Sequence, residues 1–329
     1  MRNNGNGTSE AKCSSAYIFE TRNKTNRPGA EETVSNEKAA GRDLLRDIIW
    51  VIVPDINNPF FCDAIKGIEK IAHESGLHVM ICDTDEKVEN ELNVLQILER
   101  EKAGGIIIAP VNSEAHENAE LLLKMQRHGV QIVLMDRDIR MSNLDGVFLD
   151  NYKGAFDGVE ALIKAGHTKI GLIAGPVTSK TGKDRLEGYI EALKVYNIEK
   201  NDAYIHFGDF LWQSGYEITA RILAAENRPT AMFVSNNQMS LGCLRALQEN
   251  NISVPGDIAL LVFDDNMYFK TLNLNLSVVD RSPRQMGIEA LNIMIEKLNT
   301  MKKSKKHVDK RIILLPQVIL RGSELLTDR

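Results

Sequence analysis

From residue 48 onward, short apolar runs alternate with stretches in which apolar residues recur every three or four positions. The runs are Ile48–Val53, Leu77–Ile81, Gly105–Ile108 and Gln131–Met135, and their starts lie 29, 28 and 26 residues apart. That interval fits one strand and one helix packed back onto a parallel sheet. Between the first two runs, Phe61, Ile65, Ile68 and Ala72 recur at helical spacing, and Gly76 closes the helix where a positive φ is wanted. After Leu149 the pattern begins again. It predicts strands at Lys169–Ile173, Ala203–Phe207, Ala231–Val234 and Ile258–Val262, with helices near 151–165, 183–195, 213–226 and 238–250. Pro283–Leu298 reads as a further helix with proline in its first turn, and Arg311–Leu320 as a final strand. The fold class this implies is α/β, with two doubly wound parallel-sheet lobes and a ligand cleft between them.

Residues 1–46 break the pattern. They are rich in Asn, Ser, Thr, Gly and Glu and poor in large apolar side chains, so they read as a tail whose ordering entropy nothing offsets. Over the 329 residues, 43% are hydrophobic and 26% charged, ordinary values for a chain that buries a core. A net charge of −5 argues against a chain-wide basic surface for nucleic acid. No apolar run is long enough to span a bilayer and none follows the N-terminus as a secretory signal would, so no membrane partner and a cytoplasmic location are expected. The four cysteines form no C-x-x-C pair and read as free thiols.

In doubly wound sheets ligands sit at the carboxyl ends of the strands, and here those ends share one chemistry. After the first strand comes Pro54-Asp55-Ile56-Asn57-Asn58-Pro59-Phe60-Phe61, and after the fourth Asp136-Arg137-Asp138. The second half adds Thr178–Arg185, Gly208–Trp212, Ser235-Asn236-Asn237, Asp264-Asp265-Asn266 and Asp280-Arg281-Ser282-Pro283. A sugar needs this mixture: planar amides, carboxylates and guanidinium groups hold vicinal hydroxyls, and aromatic rings cover its C–H faces.

Residues 48 to about 322 resemble the periplasmic-binding-protein-like core shared by ribose-binding proteins and the LacI/GalR regulators. The resemblance is carried by Val53–Phe61, Met135-Asp136-Arg137, Asp150-Asn151, Gly166-His167-Thr168-Lys169-Ile170-Gly171, Gly175-Pro176, Arg185-Leu186-Glu187-Gly188-Tyr189, Gly208-Asp209-Phe210, Ser235–Gly242 and Phe263-Asp264-Asp265. The Gly-His-Thr-Lys-Ile-Gly and Arg-Leu-Glu-Gly runs point to the regulator branch. The family's division implies an N-terminal lobe of 47–149 plus 281–308 and a C-terminal lobe of 150–280 plus 309–324. Residues 1–46 would be a tail or degenerate hinge.

At matching positions the resemblance implies polar sugar contacts from Asn58, Asp136, Arg137, Arg185, Asn236 and Asp264, and stacking rings from Phe60, Phe61 and Phe210. The family often has Gln where this chain has Arg281. An Arg there fits an anionic sugar, unless Asp280 or Asp265 neutralises it, in which case a neutral sugar is expected. The implied mechanism is binding and lobe closure in a homodimer, not catalysis. The first lobe would pair through the helix carrying Cys62, Ile65, Lys66 and Glu69 and the next one carrying Leu92, Leu95 and Gln96.

Family repressors begin with a helix-turn-helix. Residues 1–46 lack its turn signature and carry eight basic against six acidic side chains, so only weak DNA binding without sequence preference is expected. Two rivals remain: a ribose-type solute receptor for a transporter, and a sugar-modifying enzyme. The enzyme needs a nucleophile or metal, and none is visible. His73-Glu74-Ser75-Gly76-Leu77-His78 is one residue too long for a zinc-protease motif, and the glycines of Gly175–Gly182 are wrongly spaced for a phosphate loop. Neither a metal nor a cofactor is expected. The charged run Lys302–Arg311 reads as a solvated connection.

Overall fold

The structure is a computed structural model and describes residues 47–114, 116–140, 142–302 and 308–326. The expectations for residues 1–46, and for residues 303–307 of the charged run, lie outside the described residues.

The first lobe is a six-stranded sheet. Its strands are β1 (Ile48–Val53), β2 (His78–Asp83), β3 (Gly105–Ile108), β4 (Gln131–Asp136), β5 (Asp145–Leu149) and β11 (Arg311–Leu314), in the order β11-β5-β4-β3-β1-β2. The second lobe contains β6 (Ile170–Ala174), β7 (Ile205–Phe207), β8 (Ala231–Val234), β9 (Ala259–Phe263), β10 (Ser277–Asp280) and β12 (Gln317–Ile319), in the order β12-β10-β9-β8-β6-β7. All pairings are parallel except β10 with β12. Central strands are covered on both faces, so β3 (GIII), β8 (AMFV) and β9 (ALLVF) are buried throughout and read as continuous apolar runs.

Helices α1 (Pro59–Glu74), α2 (Val88–Glu101) and α3 (His116–Arg127) pack on the first sheet. Helices α4 (Asn151–Lys164), α5 (Lys180–Val195), α6 (Trp212–Ala224), α7 (Asn237–Glu249) and the short α8 (Met267–Thr271) belong to the second. The long α9 (Pro283–Lys302) returns to the first lobe, lying against α1 and across β3 to β5. There Lys297 and Asp145, both buried, form an ion pair. Four helix starts carry side-chain caps. Asn58, Asp150, Asn236 and Asn266 each accept a backbone N–H from the first turn of α1, α4, α7 and α8.

Two strands lie outside the sequence-based expectation. β5 and β10 are short, and each runs directly into a lobe crossover at Asp150 or Arg281. Instead of one final strand, Arg311–Leu320 forms two in different sheets, broken at Leu315-Pro316, where proline cannot donate to a ladder. The expected boundary of the second lobe is therefore corrected: β11 completes the first sheet by pairing with β5, and the chain enters the second only from β12. The expected dimer face is also corrected in part. Ile65 and Leu95 are buried in their own lobe, at 5% and 0% exposure. Exposed apolar side chains of the first lobe include Met80, Ile81 and Ile97.

The cleft between the two lobes

The strand ends of both lobes face each other across a closed cleft. At one lip, Asn237 Nδ2 donates to Asn58 Oδ1 (2.9 Å) and Gln238 Nε2 to the Asn57 carbonyl (3.1 Å). At the other, Ser113 N donates to the Thr178 carbonyl (3.1 Å) and Lys180 N to Ser113 Oγ (2.8 Å). Three non-glycine residues at strand ends hold left-handed backbone: Asp136 (φ 65°), Phe210 (72°) and Asp264 (76°). Such residues carry strain and cluster at functional sites. The turn at each strand end re-aims a side chain that a continuing strand would carry past the cleft.

Three buried guanidinium groups dominate the interior. Arg281, in the crossover after β10, bonds through Nη1 to Asp136 Oδ1 of the first lobe. Through Nε it bonds to Asp264 Oδ1 of the second, and through Nη2 to Asp264 Oδ2 at 3.0 Å. Its guanidinium carbon lies 3.4 Å from the centroid of the Phe60 ring. Burial works against the charge, but Asp136 and Asp264 outweigh it and raise the pKa of Arg281. The partners are thus not Asp280 or Asp265; Asp265 is engaged by Arg321 (2.6 Å) and Lys270 (3.1 Å).

Arg137 chelates Glu86 with Nη1 and Nη2 (2.8 and 2.6 Å) and faces the Phe210 ring of the other lobe at 5.2 Å. Among the described residues, Arg185 donates to neutral acceptors, Asn151 Oδ1 (2.9 Å) and the Ser235 carbonyl, and it stacks on Phe263 at 3.7 Å. Desolvation, reinforced by the charge of Arg281, pushes its pKa down to about 9, so it is still a cation at neutral pH.

Of the ten expected ligand residues, Phe60, Asp136, Arg137, Arg185, Phe210, Asp264 and Arg281 line this interior. Asn58 and Asn236 border it, but both also cap helices. Asn58 Oδ1 accepts from Phe60 N (3.0 Å), while Asn236 accepts from Met239 N (2.9 Å) and donates to the Phe210 carbonyl (2.8 Å). Phe61 does not reach the cleft. It is 2% exposed, sits in the core of the first lobe and meets Phe60 edge-on at 5.0 Å, because the helix turns it away from its neighbour. Glu86 and Asn151 were not among the expected site residues. Glu86 follows β2 as the other site residues follow their strands, and that position was the signal for it. On the crossover side, a cavity of about 360 Å³ lies between the lobes, bounded by Asp136, Asn151, Thr181 and Ile313. Of the ten expected ligand residues only Asp136 is among its walls, so this space lies beside the Arg281 cluster rather than within it.

A fold of two parallel-sheet lobes joined by three crossovers, with charged and aromatic strand ends turned toward each other, defines a two-lobed binding protein. The chain belongs to the periplasmic binding protein-like domain family, whose profile matches residues 159–324. Within that family it is the effector-binding core of a LacI-type transcriptional regulator. It is 26% identical over 275 residues to the HTH-type transcriptional repressor PurR of Actinobacillus pleuropneumoniae, covering 84% of this chain and 80% of the relative. It is 27% identical over 277 residues to the HTH-type transcriptional regulator DegA of Bacillus subtilis, with the same coverage. A LacI family transcriptional regulator from Enterococcus faecium, solved with bound ribose, superposes with a TM-score of 0.72 at 26% identity, over 85% of this chain and all of that one. These relatives are regulators, not enzymes. Among the described residues, no helix is long and apolar enough to cross a membrane.

Proposed function

We propose that the chain senses a neutral sugar in the cleft and reports it to a transcriptional output. The observation that carries this reading is the charge balance around the aromatic rings. Arg137 pairs with Glu86, Arg281 with both Asp136 and Asp264, and Arg185 bonds neutral acceptors, so three guanidinium groups and three carboxylates share the interior and a neutral polyol adds no charge of its own to a buried site. The hydroxyls of a sugar can accept from Arg185 and, where Arg281 yields its place, donate to Asp136 and Asp264, with Phe210 and then Phe60 covering its C–H faces. The bound ribose of the Enterococcus relative supports the ligand class. Ligand acts by population shift: it favours one arrangement of the lobes, and the lobes bias a homodimer. Met80, Ile81 and Ile97 give the first lobe an exposed apolar surface for pairing. The free thiols Cys62, Cys82 and Cys243 suit a reducing cytoplasm.

The test is calorimetry with an aldose panel, the matching uronates and the sugar phosphates, joined to sedimentation at micromolar protein. Binding of a neutral pentose or hexose by a dimer is expected. Preference for the acidic forms would overturn the neutral-ligand assignment, and a monomer with and without sugar would overturn the dimer.

A further inference from the structure

We propose that Arg281 is a built-in occupant of the sugar cleft: its guanidinium takes the seat between Asp136 and Asp264 on the Phe60 ring, ties the two lobes together, and must leave before anything else can stack on Phe60. Its chain position makes this possible. Arg281 lies in the crossover, belonging to neither sheet, and its side chain reaches one carboxylate from each lobe. The contact is therefore a bond between lobes. Phe60 is 3% exposed: Arg281 lies on its face at 3.4 Å and Phe61 meets it edge-on, so no open ring face remains. Two carboxylates flanking an aromatic plane make a site for a planar cation, and this chain supplies the cation from one of its own side chains.

Two consequences follow. Without Arg281, Asp136 and Asp264 would face each other as unpaired like charges, so the lobes should separate. With it, a sugar must compete against an intramolecular group, which lowers apparent affinity by the fraction of chains in which the seat is free. Arg281 thereby sets a threshold for sensing. The threshold half of this inference rests on the sugar-sensing reading above; the latch half does not.

The experiment uses the full chain. Small-angle X-ray scattering, with no sugar added, compares wild type with Arg281→Ala and Arg281→Gln, each first checked for native circular dichroism. Both variants are expected to show a larger radius of gyration. Millimolar methylguanidinium chloride should return Arg281→Ala to the wild-type profile, whereas equal sodium chloride should not. If Arg281→Ala does not fold, Arg281→Gln carries the scattering comparison alone, since a neutral amide cannot satisfy both carboxylates. Wild-type compactness in the folded variants, or no response of Arg281→Ala to methylguanidinium, overturns the latch. In calorimetry Arg281→Gln should bind its sugar roughly tenfold more tightly than wild type or better. Equal or weaker sugar binding overturns the threshold. No sugar binding by either form refutes the sugar reading and the threshold with it, while the scattering result stands on its own.

Discussion

Asn58 joins two structural roles, and substitution can separate them. Its Oδ1 caps α1 through Phe60 N at 3.0 Å and also accepts Asn237 Nδ2 from the opposite lobe at 2.9 Å. Loss of an Asn cap to Ala costs about 1 kcal/mol, and loss of a neutral hydrogen bond about 0.5–1.5 kcal/mol. Asn58→Ala should therefore cost about 2 kcal/mol. Asn237→Ala removes only the bond between lobes and leaves the cap intact. It also removes Asn237 Oδ1, a buried acceptor with no partner, so its cost should stay near 0.5–1 kcal/mol. Asn58→Ser keeps a capping oxygen but is too short to span the cleft lip, so it should resemble Asn237→Ala. Combining Asn58→Ser with Asn237→Ala should cost little more than either alone, because both remove the same bond. Urea unfolding measures the series, with an unchanged denaturant slope as the check that the states compared are the same. Equal losses for Asn58→Ala and Asn58→Ser would refute the capping role. Fully additive losses in the double variant would refute the bond across the cleft.

Two further outcomes are expected. His167 is 2% exposed, its Nε2 donates to the Glu324 carbonyl (3.1 Å), and burial holds its pKa below the usual imidazole value; as the pH falls through the unfolded value near 6.5, the unfolded chain takes a proton that the folded chain resists. Stability should then drop by at most about 1.4 kcal/mol per pH unit from this group, and urea midpoints at pH 7.5 and 5.5 should differ less for His167→Gln than for wild type, an equal difference refuting the assignment. At Gly175 a Cβ would overlap the Phe210 ring. Gly175→Ala should cost about 1–3 kcal/mol and weaken sugar binding at least tenfold in calorimetry; unchanged affinity would remove Phe210 from the site.

The regular spacing of apolar runs made the two lobes legible, because each βα unit repeats locally and its buried strand must be apolar whatever its partner. What stayed hidden depends on partners distant in sequence. Asp145–Leu149 contains only three large apolar residues and abuts the next helix, so nothing local distinguishes it from a loop. That Ile312 faces Val147 while Val318 faces Val279 is decided by sheet edges that no window of sequence reveals. In the cleft, residue types at strand ends singled out Asp136, Asp264 and Arg281 as candidates. Their mutual pairing was not legible, because it requires the distance between two lobes. Phe61 was misplaced for a simpler reason: adjacent residues of a helix point about 100° apart, and only Phe60 faces the cleft.

The three crossovers also bear on how the chain is made. During synthesis the first lobe emerges from the ribosome with β5 as an unprotected sheet edge, since its neighbour β11 is still untranslated. The helix that covers β3 to β5, α9, is likewise absent until the second lobe has been produced. The nascent first lobe must therefore hold Val133, Met135 and Val147, part of the buried cluster that α9 later covers, without their final cover. A half-finished chain of this design leaves apolar surface waiting for its cover, and neither complete lobe is one contiguous stretch of sequence.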